Sequence, residues 1–312
     1  LYNVTGSRQQ GSNVLVYDSA TPNSVSFTAY SLTNGNTFMF ESVCTDSSQQ
    51  HIVTVSNQMP VVVNAGVIQT SKSPTRVMTN LVTWTNSNGY SSIQWQDITE
   101  LDVFHLMPNY DGSLSSDGTL SNLAAIISNA HSHDVKALVA IGGWGVSTDA
   151  INSTISNPTY RDNLVNNIVN EVQANGYDGV QIDFEGSFNR DAFTAFMQQL
   201  SAALWSRNPN YVINVEFANW DISSFNLPAL APYATHFDMM FNPSISELNY
   251  YAGQVGKSKL SAGYDLTDPS GAQNIAQNLV TDVQNGYGIF FWQAQFMNST
   301  IYNDISAALA SK

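Results

Sequence analysis

Residues 178–185 read Asp-Gly-Val-Gln-Ile-Asp-Phe-Glu. Side chains of a β-strand alternate faces, so Gly179, Gln181, Asp183 and Glu185 share one side while Val180, Ile182 and Phe184 share the other. A strand in a helix-covered sheet is ordinarily apolar on both faces, and taking an amide and two carboxylates out of water there carries a desolvation penalty. A polar face kept at that penalty reads as catalytic equipment, with Asp183 and Glu185 as its proton-carrying groups. The alternative is a half-exposed strand with two solvated acids. The neighbouring segments favour the first reading, because they look like the buried strands of a barrel.

From Arg76 onward strand and helix alternate. Strands are predicted over 76–84, 101–107, 136–141, 179–185, 211–217, 236–242, 259–264 and 288–292. Apolar residues at three-and-four spacing predict amphipathic helices over 121–131, 159–174 and 190–205. Eight such units in about 240 residues imply the α/β class and a closed (β/α)₈ TIM barrel over residues 73–312. Active sites of these barrels sit at the carboxyl ends of the strands, which is where Glu185 falls on the fourth. Residues 1–72 lack helical periodicity. Short β-rich runs at 13–17, 24–31, 37–43, 51–56 and 60–70, separated by turn residues, predict a small sandwich-like domain there, and 69–75 reads as the connection.

Ten Lys and Arg face twenty-four Asp and Glu, for a net charge of −14. That excess repels a phosphate backbone and an anionic membrane, so neither is expected as a partner. No apolar run approaches the ~18 residues that read as a bilayer span. Only 11% of residues are charged, and Asn, Ser, Thr and Gln supply the polar surface. Such a surface suits secretion into acid, or equally an ordinary secreted protein with an amide-rich exterior. The chain starts at Leu1 with no charged and hydrophobic leader, so an export signal is expected to be already removed or outside this sequence. Cys44 is the single cysteine, which excludes an internal disulfide and a cysteine-cluster metal site. His105, His131, His133 and His236 lack a metal-ligand spacing, and His131 and His133 read as cations near a helix end. Asn3, Asn152 and Asn298 open N-glycosylation triplets of a kind that also arise by chance in an Asn-rich chain.

The octapeptide resembles the Asp-Gly-x-Asp-x-Asp-x-Glu signature of family 18 glycoside hydrolases, the chitinases and their relatives. Ala140-Ile-Gly-Gly143-Trp144 is similar to that family's third-strand Ser-x-Gly-Gly, and Met239-Met-Phe241-Asn242 to its sixth-strand Met-x-Tyr-Asp. Gly288-Ile-Phe-Phe-Trp292 looks like the eighth-strand segment ending in tryptophan, and 101–114 like the second strand with its Asp-Gly turn. The resemblance covers about residues 75–312. It implies a retaining hydrolase of β-1,4-linked N-acetylglucosamine polymers, chitin before peptidoglycan or N-glycan. Glu185 is implied as the general acid that protonates the glycosidic oxygen and later activates water. Asp183 is implied to steer the substrate's 2-acetamido group, whose carbonyl oxygen closes an oxazolinium ring, and its charge is expected to raise the pKa of Glu185. Gln181 would orient Asp183, and Trp292 would floor the subsite where the sugar distorts. Trp144, Trp220 and Tyr264 are stacking candidates or core residues, while Gly143, Met239, Phe241 and Asn242 complete the implied substrate site. In residues 1–72, Tyr17, Tyr30, Phe38 and Phe40 are likewise sugar-stacking or core aromatics. No metal or cofactor is implied.

Three departures stand out: Gln181 for the first signature Asp, Ala140 for the Ser, and Phe241 for the Tyr. In the family that Asp and Ser form a hydrogen-bonded pair beneath the central Asp, so the first two changes are expected to be coupled. Phe241 lacks the phenol that would hold the acetamido oxygen, a loss that can lower the rate by ~10²–10³. Asn242 is milder, since an amide donates and accepts. Because Gln181 removes a like charge, Asp183 is expected to ionise at lower pH than beside an Asp. A silent lectin, or an inhibitor or surface protein on the same barrel, are the competing readings. The retained carboxylates favour a secreted, monomeric enzyme working in an acidic environment; Phe241 argues for the lectin.

Overall fold

The computed structural model describes residues 75–82, 93–116, 122–267 and 274–312, and the backbone of seven short strands within residues 1–74. The chain divides into two compact units, Leu1–Pro74 and Thr75–Lys312. In the first, strands Arg8–Gln9, Tyr2–Asn3, Thr37–Met39, Pro60–Asn64 and Val67–Gln69 lie in that order in an antiparallel sheet, and Cys44–Thr45 pairs with His51–Ile52. The run expected as one strand over 60–70 is a hairpin, with Val62 opposite Gln69. The expected strands at 13–17 and 24–31 lie outside the described residues, as do Tyr17, Tyr30 and Phe40 and the side chains of Asn3 and Phe38.

The second unit is a closed barrel of eight parallel strands: β1 (Val77–Val82), β2 (Glu100–Pro108), β3 (Lys136–Gly142), β4 (Gly179–Asp183), β5 (Val212–Phe217), β6 (His236–Met239), β7 (Leu260–Asp265) and β8 (Gly288–Trp292). Each pairs with the next, and β8 returns to β1. A short strand, Leu114–Ser116, folds back antiparallel on β2. The helices are α1 (Leu123–Ser132), α2 (Thr148–Ser156), α3 (Pro158–Asn175), α4 (Arg190–Arg207), α5 (Leu227–Leu230), α6 (Ile245–Val255), α7 (Ile275–Gln284) and α8 (Ser299–Ala310). Their starts follow local chemistry. Asn157 and Asn189 cap α3 and α4 by accepting from the first free backbone N–H groups, and Ser244 with Glu247 forms a capping box on α6.

Period-two alternation sorts the strand residues. Val139, Ile141, Val180, Ile182, Ile213, Val215, Phe217 and Phe237 point outward into the core beneath the helices. The inward positions are unusually polar, with Asn80, Asp102, Gln181, Asp183, Asn214, Glu216 and Asp238 all buried. A polar inner face is therefore shared by several strands and is no peculiarity of β4. At the amino-terminal end of the barrel Arg76 donates to Glu100 and Asp238, and to Ser261 at 2.8 Å, tying β2, β6 and β7 together. Desolvation and the Arg76 charge keep neighbouring His236 neutral, its pKa pushed down to about 3.

Two predicted strands end early. β4 stops at Asp183, leaving Glu185 on the following loop, and β6 stops at Met239 because Phe241 and Asn242 turn to φ of 65° and 54°. β1 is described as far as Val82, and the last two residues of its predicted range, 83 and 84, lie outside the described residues.

Candidate active site

Asp183 closes β4 facing into the barrel, only 2% exposed. On the opposite face Phe184 stacks against Phe196 of α4, with centroids 5.7 Å apart, and this fixes the strand's parity. β3 passes close behind: Gly143 N–H donates to the Asp183 carbonyl at 2.7 Å, and a Cβ on Gly142 would stand 2.0 Å from that oxygen. Glycines in the family-like motif thus serve backbone approach.

Glu185 lies two residues beyond, and the loop carrying it is held from several sides. Gly186 N–H donates to Asp221 at 3.4 Å, the Ser224 hydroxyl donates to the Gly186 carbonyl at 2.8 Å and accepts from Phe188 N–H at 3.1 Å. Asn152 of α2 donates to the Ser187 carbonyl and accepts from Asn189 N–H. Two of the three glycosylation triplets therefore have structural asparagines, since Asn298 caps α8. The octapeptide's first residue, Asp178, is structural too, accepting from His131 and from Ala137 N–H at 2.8 Å each.

Asp183 and Glu185 open into a cleft of about 270 Å³ at the carboxyl ends of the strands. Trp144, Glu216, Met240, Phe241, Gly263, Tyr264, Asp265, Phe290 and Trp292 line the rest. Its two sides differ. Val82, Phe104 and Ala140 form an apolar cluster against which Trp292 packs, edge to face with Phe104 at 5.0 Å. Asp183, Glu185 and Glu216 make the acidic side, and among the described lining residues there is no Lys, Arg or His.

Burial pushes the Glu185 carboxyl up to about 7, with the Asp221 charge adding to it. Asp221 supplies that charge, while the like-charge coupling expected between Asp183 and Glu185 falls on Asp183, which is buried beside another carboxyl. That neighbour is Glu216 of β5, which the octapeptide could not reveal. The Gln181 amide donates to Glu216, and Glu216 is hydrogen-bonded to Asp183. Burial holds Asp183 and Glu216 well above the usual carboxylate range. Desolvation, then Glu185, with Asp221 adding, outweigh the Glu216 hydrogen bond that lowers Asp183, and Glu216 fills the place Gln181 had vacated. A signal was present, since Asn214 and Glu216 alternate with Ile213, Val215 and Phe217 just as Gln181 and Asp183 alternate with Val180 and Ile182.

Of the proposed site residues, Asp183, Glu185, Trp144, Phe241 and Trp292 meet at the cleft. Trp144 is 84% exposed at the rim, not core. Two residues face the wrong way. Tyr264 reaches the cleft wall, but its buried ring stacks on Phe291 and donates to Asp282 of α7, and Met239 belongs to the outer core. On β6 the inward parity belongs to His236, Asp238 and Met240, so Met240 takes the place assigned to Met239. Gln181 lies beneath the cleft, Gly143 behind Asp183, and Asn242 is held by its N–H on the Gly263 carbonyl at 2.7 Å. Ala140 joins the aromatic floor while Gln181 turns to β5, so these two register partners serve opposite sides of the site. Among the described residues no group of His, Cys, Asp and Glu is arranged to hold a metal ion, and no helix is long and apolar enough to cross a membrane.

Comparison with known proteins agrees with this geometry. The family described as Glycosyl hydrolases family 18 matches residues 78–244. Over 135 residues the chain is 36% identical to Putative sporulation-specific glycosylase YdhD of Bacillus subtilis (strain 168), a match spanning 42% of this chain and 30% of that protein. A chitinase from Bacteroides thetaiotaomicron superposes with a TM-score of 0.65 at 17% identity, over 77% of this chain and 98% of that one. The spore cortex-lytic enzyme SleL of Bacillus megaterium QM B1551 gives 0.63 at 14% identity, over 81% and 79%. These two likenesses show the shared fold; the family match covers more than half of the 312 residues, and the chain belongs to glycosyl hydrolases family 18.

Proposed function

We propose that this glycoside hydrolase cleaves β-1,4-linked N-acetylglucosamine polymers, chitin oligomers first, with retention and with help from the substrate's own acetamido group. The observation that carries the reading is the pair Asp183 and Glu185 opening together into an aromatic-walled cleft at the carboxyl ends of the barrel strands. Glu185, with its pKa near 7, is protonated in mild acid and gives that proton to the glycosidic oxygen. The C1–O bond breaks with its electrons going to that oxygen, while the acetamido carbonyl oxygen bonds to C1. Asp183, whose Oδ1 is buried without a partner, accepts from the acetamido N–H. Glu185, now a carboxylate, takes a proton from the water that opens the oxazolinium ring.

A cleft with four carboxyl groups, and no cation among its described lining residues, disfavours sugars that carry carboxylates, which supports chitin over peptidoglycan. A silent lectin is the second reading, favoured by Phe241, whose ring faces the cleft without a hydroxyl. Secretion into an acidic environment, as a monomer, is part of the same proposal, supported by the charge-poor composition and by buried carboxyl groups held well above the usual carboxylate range. Incubation with N-acetylated chitooligosaccharides, followed by product and anomer analysis, tests the activity. Shorter β-anomeric products are expected. Binding without products would make the lectin the answer.

A further inference from the structure

Gln181 leaves Asp183 without the second strand-four carboxyl, yet Asp183 is not alone. We propose that Glu216 of β5 is a positioning residue that holds the proton beside Asp183, donating it as a hydrogen bond so that Asp183 meets the substrate as a single, fixed anion. This rests on Asp183 being the group that receives the acetamido N–H.

The geometry is a relay across two strands. Gln181 pairs in register with Asn214, so Glu216 stands one inward position further along β5, at the level of Asp183. The Gln181 Nε2 donates to Glu216 Oε1 and fixes that oxygen as an acceptor. The remaining oxygen of Glu216 is then the one that carries the proton toward Asp183. Both carboxyls are 2% exposed, so water cannot substitute for either partner. Asp183 and Glu216 keep one proton between them; it stays on Glu216 while the Glu185 proton moves, and the balance of the reaction is unchanged. The other charged groups facing the pair are Glu185 and Asp221 on the cleft side, and Asp102 and Asp238 from below, with Arg76 beyond on Asp238. All but Arg76 oppose a second negative charge, so the proton is retained.

The test is the pH profile of kcat/KM on N-acetylated chitotetraose for wild type, Glu216→Ala, Glu216→Gln, the double variant Gln181→Asp with Glu216→Gln, and Asp183→Asn, each checked for folding by circular dichroism. An O–H donor to a carboxylate is stronger than an amide donor, and none at all is weakest. The acid limb should therefore move upward in Glu216→Gln and further in Glu216→Ala, with Glu216→Ala losing about tenfold or more in plateau rate. The double variant, which returns a carboxyl from strand four, should bring the limb back toward wild type. An acid limb that stays at the wild-type position in both single variants overturns the proposal, whatever happens to the rate. Should Glu216→Ala fail to fold, the Glu216→Gln and double-variant limbs decide. Full activity in Asp183→Asn would instead overturn the reading of Asp183, which separates the two failures.

Discussion

Asp221 is the charged group that acts on Glu185, and backbone donors fix it there: Ala218 N–H at 3.0 Å and Gly186 N–H at 3.4 Å bind its two carboxylate oxygens. A residue after β5 thereby adds to the burial that raises the proton affinity of a residue after β4. The same carboxylate holds the loop on which Glu185 sits.

Replacing Asp221 by Asn should remove the charge while keeping an acceptor for Ala218. Asp221 raises the Glu185 pKa, so its neutralisation lowers it, and an acid that must be protonated then fails at lower pH. The basic limb of kcat/KM, expected near 7 in wild type, should move toward acid. An unmoved limb would mean that burial alone sets the Glu185 pKa.

Glu185→Gln should keep the fold and sugar binding while lowering kcat by ~10²-fold or more, because the leaving oxygen loses its proton donor. Asp183→Asn should also depress turnover, and a thiazoline mimic of the oxazolinium ring should inhibit wild type. Near-normal turnover in the Gln variant would remove Glu185 from its role.

Phe241 lines the cleft with its ring 52% exposed, so an added hydroxyl meets space rather than packing. Phe241→Tyr should raise kcat by about tenfold if that hydroxyl reaches the developing acetamido charge. Turnover that appears only in the Tyr variant would identify the natural protein as a lectin.

Stability should be greatest in acid. Asp102, Asp183 and Glu216 are pushed well above the usual carboxylate range by burial, and Asp221 and Asp282 up to about 6. A carboxyl whose folded pKa is raised contributes stability that is complete below the unfolded value of ~4 and is lost as pH rises through the folded value. Glu100, held low chiefly by Arg76, works the other way but is outnumbered. The thermal midpoint should fall between about pH 4 and pH 7, the reference range of an unfolded carboxylate to that of the raised groups. Asp102, both of whose oxygens lack partners, should show this most plainly: Asp102→Asn should raise the midpoint at pH 7 and flatten the slope. A midpoint that is highest at neutral pH would contradict the account.

The barrel was legible from residue order because its signals are local. Alternation marks a strand within a few residues, a three-and-four spacing marks a helix, and eight repeats of the unit leave little choice of architecture. Asp183 and Glu185 were legible for the same reason, being two positions apart on one strand and its extension. Parity was readable but easily misassigned: on β6 the polar residues His236 and Asp238 mark the inward face and select Met240, and on β7 the small inward residues Ser261 and Gly263 leave Tyr264 outside. What needed the folded chain was every relation between strands. Glu216 reaches Gln181 across thirty-five residues of sequence, and Asp221 reaches Gly186 across thirty-five more of another path. Such contacts depend on strand register and loop closure, which the order of residues specifies only through the whole barrel. The sequence determined which chemistry was available; the register of β5 against β4 decided which carboxyl stands beside Asp183, because only in the closed barrel do those two inward faces share one level.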